Sequence, residues 1–294
     1  MTALLAPLAD WVPLAVTVLA VAVVAAEWRA LAAVIERHRE GWVNVACGAA
    51  SFLPVFALSA VATVAVMFAV YELRLFDLGA DWPVWIAAYV AYDLASFLVH
   101  WASHRVRLLW CFHAVHHAPQ EMKASVAFRG ALGDVFVTPH TTLWLPLLGF
   151  HPYLVIAVEA VGLLYGVALH AHERVVPTAP TRPLHRWLIT PTVHRLHHAR
   201  NPPYLDTNYG LTFALWDRLL GTAQARVPGE VPEYGVRSEV DPASFVDSQT
   251  HDLKALWRDL RSARTLGVAL GFLLRPPGWV PVGAPDGEPC PETR

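Results

Sequence analysis

The sequence is poor in charge and in cysteine. Charged residues make up 16% of the 294 residues, whereas 55% are hydrophobic, and the formal net charge is −2. A chain without a basic excess lacks the electrostatic field that attracts nucleic acid, so a nucleic-acid partner is excluded. The three cysteines, Cys47, Cys111 and Cys290, are widely spaced and form no CxxC pair. Neither a disulfide framework nor a cysteine-based zinc site is predicted.

Long apolar runs are abundant, and they favour a multi-span membrane protein. Four stretches are predicted to cross or enter the bilayer: residues 12–33, 45–70, 83–99 and 135–169. The second carries no charge and is predicted to be a spanning helix with a kink at Pro54. The fourth is long enough for two passes or a re-entrant hairpin that turns at residues 149–152. The sequence therefore predicts an all-α bundle of about four transmembrane helices, some of them paired as a hairpin.

Basic residues indicate the orientation of this bundle. Arginine and lysine are concentrated in the first connection and in the segments after the third and fourth spans. This alternation agrees with the positive-inside rule, and it leaves every histidine cluster on the basic side. We therefore expect an integral multi-pass protein of a bacterial cytoplasmic membrane, with a histidine-rich helical cap on the cytoplasmic side.

Three histidine clusters stand out from the apolar background. Their members are spaced by three or four residues, which places them on one face of a helix. Neutral imidazole is the commonest metal ligand in proteins, so the clusters predict a metal site. A lone histidine near a membrane end would instead be read as an interfacial residue. The clusters are His100 and His104; His113, His116 and His117; and His194, His197 and His198.

Eight such histidines exceed the coordination of one ion and suit two. Imidazole binds iron, zinc and copper, so ligand type alone leaves the metal open. Cys111 could add a thiolate, but a single buried cysteine is more often a small hydrophobic residue.

These residues resemble the fatty acid hydroxylase and sterol desaturase superfamily of membrane di-iron oxygenases. The resemblance covers residues 93–222. It comprises Asp93 seven residues before the first histidine, the HxxxH box, LWCFHAVHH, YGVALHAHE with His170, and TPTVHRLHHARNPPYLDTNYG followed by LWDRLLGT. The last stretch is similar to the alkylglycerol monooxygenase branch and its bacterial relatives.

The resemblance implies two iron ions, with dioxygen as co-substrate, under a cytoplasmic cap. His170 is the expected ligand between the boxes because its distance from Tyr165 matches the family pattern, and His172 is held in reserve. The implied metal ligands are His100, His104, His113, His116, His117, His170, His194, His197 and His198. The implied groups that orient those ligands are Asp93, His172, Glu173, Asp206, Asn208 and Asp217. For Asp206 and Asp217, turn or helix-cap chemistry is the alternative.

The implied activity is hydroxylation or desaturation of a lipid, such as a fatty acyl, sterol-like or ether lipid chain. The sequence shows neither a dinucleotide fingerprint nor a fused b-type cytochrome. A reductase, ferredoxin or b-type cytochrome is therefore expected to supply electrons from outside the chain.

Two other functions are compatible with a histidine-rich membrane protein. A membrane zinc hydrolase requires a general-base glutamate beside its ligands, as in HExxH, and neither HxxHH box contains one. A metal-binding or metal-transport protein would place ligands along a pathway within the spans, whereas these clusters lie just outside them.

The chain is predicted to divide into three parts. Residues 1–80 form the N-terminal membrane helices, and residues 81–225 form the catalytic region. Residues 226–294 form a cytoplasmic or interfacial segment with a flexible tail. Within this last part, residues 252–265 are predicted to be an amphipathic helix, and the apolar residues 266–274 are too short to span a bilayer.

Overall fold

The computed structural model describes residues 2–50, 53–137, 141–178 and 182–281, and within those ranges it is helical. Regular β-strands are absent from the described ranges, where two isolated bridges are the only β pairing. The predicted all-α class is confirmed.

Three helices are long and apolar enough to cross a membrane: α1 (Thr2–Leu31), α4 (Trp82–Arg105) and α6 (Pro152–Leu169). A fourth crossing is formed if α2 (His38–Ala50) and α3 (Pro54–Tyr71) together make one bent span. Large apolar side chains on these helices face outward: Val18 is 60% exposed and Leu58 is 70% exposed. Such surfaces are stable only against lipid or another apolar partner, so the expected bundle of about four spans is confirmed.

Two predicted spans differ from the structure. The second is interrupted, because α2 and the residues from Val55 onward are bent by 52°. Proline lacks the N–H that would continue a helix, and Pro54 accordingly begins α3. In the fourth, only α6 is a long helix. The chain before it contains the 3₁₀ turns Leu132–Phe136 and Pro146–Leu148, and residues 138–140 lie outside the described ranges.

The turn predicted at residues 149–152, within the fourth apolar stretch, is present. Gly149 has a φ of 105°, and a Cβ at this position would lie 2.2 Å from the carbonyl oxygen of Phe76. The turn therefore requires glycine both for its backbone conformation and for its close approach to the α3–α4 connection.

α1, α4 and α6 all end on the same side of the bundle. The Glu27 carboxylate, near the end of α1, accepts hydrogen bonds from the backbone N–H groups of Ala124 and His172, at 2.5 and 2.8 Å. On the opposite side, just after α3, the N–H of Leu75 donates to the carbonyl of Leu147 at 2.8 Å. The histidine clusters consequently share one side of the bundle.

The cap consists of α5 (Arg107–His117), α7 (Pro191–His197), α8 (Leu215–Leu220), α9 (Phe245–Ser262) and α10 (Leu266–Leu274). α9 begins earlier than predicted, because Ser244 caps it by accepting a hydrogen bond from the Asp247 N–H. α10 coincides with the short apolar segment and packs against α5 and α9. Cys111 is buried there against Leu256 and Phe272, so its role is in packing. Cys290 and the rest of the tail from residue 282 lie outside the described ranges.

Candidate metal centre

The nine histidines implied by the sequence come together in two adjacent groups. Within each group, one ring nitrogen from every histidine lies within 4.8 Å of the others. The imidazoles of His117 and His198, one from each group, stack with ring centroids 4.2 Å apart. The first group contains His100, His104, His113, His117 and His197, and the second contains His116, His170, His194 and His198.

Each HxxHH box is divided between the two groups. In α5, the i, i+4 pair His113 and His117 enters the first group, while His116 enters the second. At α7 the division is reversed, because the i, i+4 pair His194 and His198 enters the second group. The two faces of each short helix thus serve different groups.

Main-chain carbonyl groups orient three of the imidazoles. Nδ1 of His100 lies 2.7 Å from the Tyr209 oxygen, and Nδ1 of His197 lies 2.7 Å from the Thr207 oxygen. Nδ1 of His170 lies 2.6 Å from the Gly166 oxygen, one turn earlier on α6. A carbonyl oxygen can only accept, so in each neutral ring the proton is on Nδ1 and the lone pair is on Nε2.

The Nε2 atoms of each group point at one another. Nε2 of His170 lies 3.1 Å from that of His116 and 3.0 Å from that of His194. Nε2 of His197 lies 3.1 Å from that of His117. Two nitrogens bound at right angles to one ion at about 2.1 Å would be about 3.0 Å apart, which agrees with these separations. The donor set fits a metal ion in each group.

Burial keeps these imidazoles neutral. The pKa values of His113, His117 and His197 in the first group, and of His116, His194 and His198 in the second, are held well below the ordinary value by desolvation. Burial also lowers the pKa of His170 to about 4. Neutral imidazole is the form that binds metal, so no proton has to be removed from these rings at neutral pH.

One short loop orients two members of the first group and lies near a third. Asp206 and Asn208 have φ values of 57° and 59°, in the left-handed region that asparagine and aspartate tolerate. This conformation presents the carbonyl of Thr207 to His197 and that of Tyr209 to His100. Oδ1 of Asp206 lies 3.8 Å from Nδ1 of His104.

Asn208 and Asp217 hold this loop from behind. The Asn208 side-chain amide donates to the carbonyl of Gln224 and accepts from its N–H, at 2.9 and 2.8 Å. The buried Asp217 carboxylate accepts from the N–H groups of Tyr209 and Gly210, both at 2.8 Å, and from the Thr222 hydroxyl at 2.7 Å. Both side chains therefore act on the histidines through the backbone that they fix.

Asp93 is also one step removed from the histidines. Its carboxylate accepts from the N–H groups of Thr212 and Phe213, at 2.8 and 3.3 Å, and from the indole N–H of Trp216 at 2.8 Å. It joins the α4 span to the segment that carries the loop. Its position within an apolar helix made it a functional candidate from sequence, and its observed partners are cap groups.

His172 and Glu173 lie outside both groups. α6 ends at Leu169, and the chain then turns so that the N–H of His172 reaches the Glu27 carboxylate. Nδ1 of His172 accepts from the N–H of Arg174 at 3.1 Å, and Glu173 is exposed. The structure thus brings His170 to the centre and leaves the reserve ligand at the surface of the cap.

The part of the chain that carries these histidines matches a known family model. Residues 85–222 match the family model described as Fatty acid hydroxylase, and this range contains all nine histidines and the loop that orients them. This part of the chain is similar to the fatty acid hydroxylase family. The resemblance inferred from the histidine boxes is confirmed.

Relatives of this chain carry the names of lipid-modifying enzymes. It is 27% identical to alkylglycerol monooxygenase of Homo sapiens over 250 residues, which is 83% of this chain and 54% of the relative. It is 29% identical to ornithine lipid hydroxylase OlsE of Rhizobium tropici over 195 residues, which is 62% of this chain and 54% of the relative. The chain thus spans about half the length of these relatives. No solved structure matches it.

A cavity of about 650 Å³ opens beside the two histidine groups. Its walls come from α1, α4, α5 and α6 and are largely apolar, and its volume is in the range of ligand sites. Three residues at its far part, Asp134, Ile156 and Glu159, also line a second cavity of about 340 Å³ against α3. Neither these acids nor the orienting carbonyls were predicted. A main-chain carbonyl is present at every residue, so the residue type does not show which carbonyl will bind a histidine. The aspartate and asparagine in LDTNYG do indicate that a turn is formed there. The histidines that line the larger cavity are His100, His113, His116, His170 and His194.

Proposed function

We propose that this chain is a membrane-bound, dioxygen-dependent lipid hydroxylase in which nine histidines bind two iron ions. The observation that carries the proposal is the convergence of imidazole nitrogens in two adjacent all-histidine groups at the end of a largely apolar cavity. The fatty acid hydroxylase match and the lipid hydroxylase and monooxygenase relatives support the reaction class.

The bound iron ions would supply the activation of dioxygen that allows a C–H bond to be converted to C–OH. In the balanced reaction, one oxygen atom enters the lipid and the other leaves as water, with two electrons and two protons from an external donor. A reductase, ferredoxin or b-type cytochrome belongs to the required chemical class. We place the cap, and hence the contact with such a donor, on the cytoplasmic side because of the positive-inside pattern.

The protein contributes position, neutrality and exclusion of water. Buried imidazoles remain neutral, and the loop at residues 206–209 orients two of them. The apolar cavity would bring a hydrocarbon chain against the histidines that face it. Confining the chain there limits which carbon reacts and keeps bulk water from the centre.

A zinc hydrolase is the competing function. Among the described residues, both groups contain only histidine, whereas a zinc hydrolase needs a carboxylate base next to its ligands. Metal analysis of the purified protein, combined with lipid profiling under isotopically labelled dioxygen, separates the two. We expect two iron ions per chain and label in one lipid class, with loss of label in the His116→Ala and His197→Ala variants. One zinc ion per chain without oxygen consumption would refute the proposal.

A further inference from the structure

The larger cavity has a polar far end that the metal centre does not explain. Glu159 lies on α6 eleven residues before His170, a distance of about 16 Å along a helix. Its side chain lies deep in the bundle and lines both cavities. Among the described residues, its carboxyl group has no hydrogen-bond or ion-pair partner, although an unpaired acid within an apolar span is costly.

A second acid lines the same space. Asp134, in the Leu132–Phe136 turn, lines the same two cavities. Its Oδ2 accepts a hydrogen bond from the N–H of Ala131 at 2.7 Å. The two carboxyl groups therefore face a space shared by both cavities, between α6 and α3.

Arg129 also lines the larger cavity, and its guanidinium group already has hydrogen-bond partners. Among the described residues that line these cavities, Arg129 is the one lysine or arginine. Its guanidinium donates to the carbonyls of Val115 and Pro242, both at 2.9 Å. It also donates to Asn44 Oδ1 at 3.1 Å and to Ser248 Oγ at 2.6 Å. A ligand that enters the cavity can supply a donor to Glu159.

We propose that Glu159, in the space that Asp134 also lines, binds a hydroxyl or amine group of the lipid substrate at the end of the cavity remote from the metal centre. The substrate is then an amphiphile that reacts on its hydrocarbon chain about 16 Å from that polar group. This inference rests on the proposed function, because it takes the cavity to be the substrate site. It assigns recognition to the carboxylate and reactivity to the metal centre.

Ligand binding without turnover tests the inference. The full chain in detergent is loaded with a fluorescent alkyl probe, which is then displaced by dodecanol, dodecylamine or dodecyl methyl ether. The ether has a similar chain and no hydrogen-bond donor. We expect the alcohol and the amine to displace the probe about tenfold better than the ether, since hydrogen bonds to charged groups are worth about that much. Equal displacement by all three would overturn the inference.

Variants assign the preference to Glu159. Glu159→Leu should abolish it for both donors, whereas Glu159→Gln should keep the alcohol preference through its amide carbonyl and lose much of the amine preference. Glu239→Gln, which removes an exposed carboxylate, should behave as wild type. A donor preference that survives in both Glu159 variants would refute the assignment. Metal content and labelled-oxygen turnover are measured on the same samples, so a failed recognition site and a failed hydroxylase are told apart.

Discussion

His116 and His117 are consecutive in the chain, yet they belong to different histidine groups. Nε2 of His116 lies 3.1 Å from Nε2 of His170, whereas Nε2 of His117 lies 3.1 Å from Nε2 of His197. Neighbours on a helix project about 100° apart, so one short helix can address two ions side by side. The α5 helix therefore lies between the two groups and contributes to each.

This division predicts different losses from two adjacent substitutions. His116→Ala removes a member of the four-histidine group, and His117→Ala removes a member of the five-histidine group. Each variant should fall from two bound ions to about one, and each should lose turnover. Elemental analysis gives the stoichiometry, and spectroscopy of the remaining iron should differ between the variants. His38→Ala, at an exposed position, is the control. Indistinguishable residual sites would contradict the two-group arrangement.

Removing the support behind the loop should weaken metal binding without removing a ligand. Asp217→Ala leaves the N–H groups of Tyr209 and Gly210 without their acceptor. The free energy of unfolding should fall by about 2–6 kcal/mol, at about 1–3 kcal/mol for each of the two unsatisfied groups. Iron affinity should fall about 10- to 100-fold, as for other groups that orient ligands. Chelator competition measures the affinity. Asp77→Ala, whose side chain is 83% exposed, should change neither quantity appreciably, and an unchanged iron affinity in Asp217→Ala would refute the role of the loop.

A methyl group at Gly162 should disturb the wall of the larger cavity. A Cβ there would lie 2.3 Å from Cε1 of Tyr92, so the tyrosine ring would have to move. Gly162→Ala is expected to cost about 1–3 kcal/mol by overpacking and to reduce binding of alkyl probes. Thermal unfolding and probe displacement provide the measurements. At Gly166, one turn later on the same helix, the nearest atom would be 3.7 Å from the Cβ. Gly166→Ala should therefore keep wild-type stability, and a normal Gly162→Ala variant would show that the ring can yield.

Metal retention should extend further into acid than it does for exposed histidines. Burial lowers the pKa of His170 to about 4 and holds those of His113 and His197 well below the ordinary value. A lowered pKa means that the ring stays neutral as the pH falls through about 6.5, the value at which a free histidine takes up a proton. Iron should therefore be retained at about pH 6 and released as the pH approaches about 4. A metal-loaded polyhistidine tag is the control. Loss of half the iron above pH 6 would contradict the prediction.

The convergence of the histidines could be anticipated from sequence, and their assignment to two groups could not. Spacings of three and four residues specify a helix face, which is a local property. Whether His116 joins His170 or His113 depends on how α5 packs against α6 and α7, and spacing along one helix carries no information about that angle. The same limit applies to Thr207, whose contribution is a main-chain carbonyl.

The spans show a similar contrast. Apolar length predicted α1, α4 and α6 because a bilayer imposes that length on any spanning helix. The break before α3 and the 3₁₀ turns before α6 depend on neighbouring protein that satisfies the free backbone groups, which a hydropathy pattern does not record. Glu159 was passed over because a single acid in an apolar run does not reveal which cavity it faces.

The hydrogen bonds of Arg129 limit how far the C-terminal part of this chain can be truncated. Its fully buried guanidinium has four uncharged partners, and two of them, Pro242 and Ser248, lie beyond the family-model match that ends at residue 222. A truncation after the match would leave a buried cation facing empty space, directly behind the helix that carries His113, His116 and His117. The segment that begins α9 is thus a structural brace for the metal centre, and a minimal catalytic fragment has to include it.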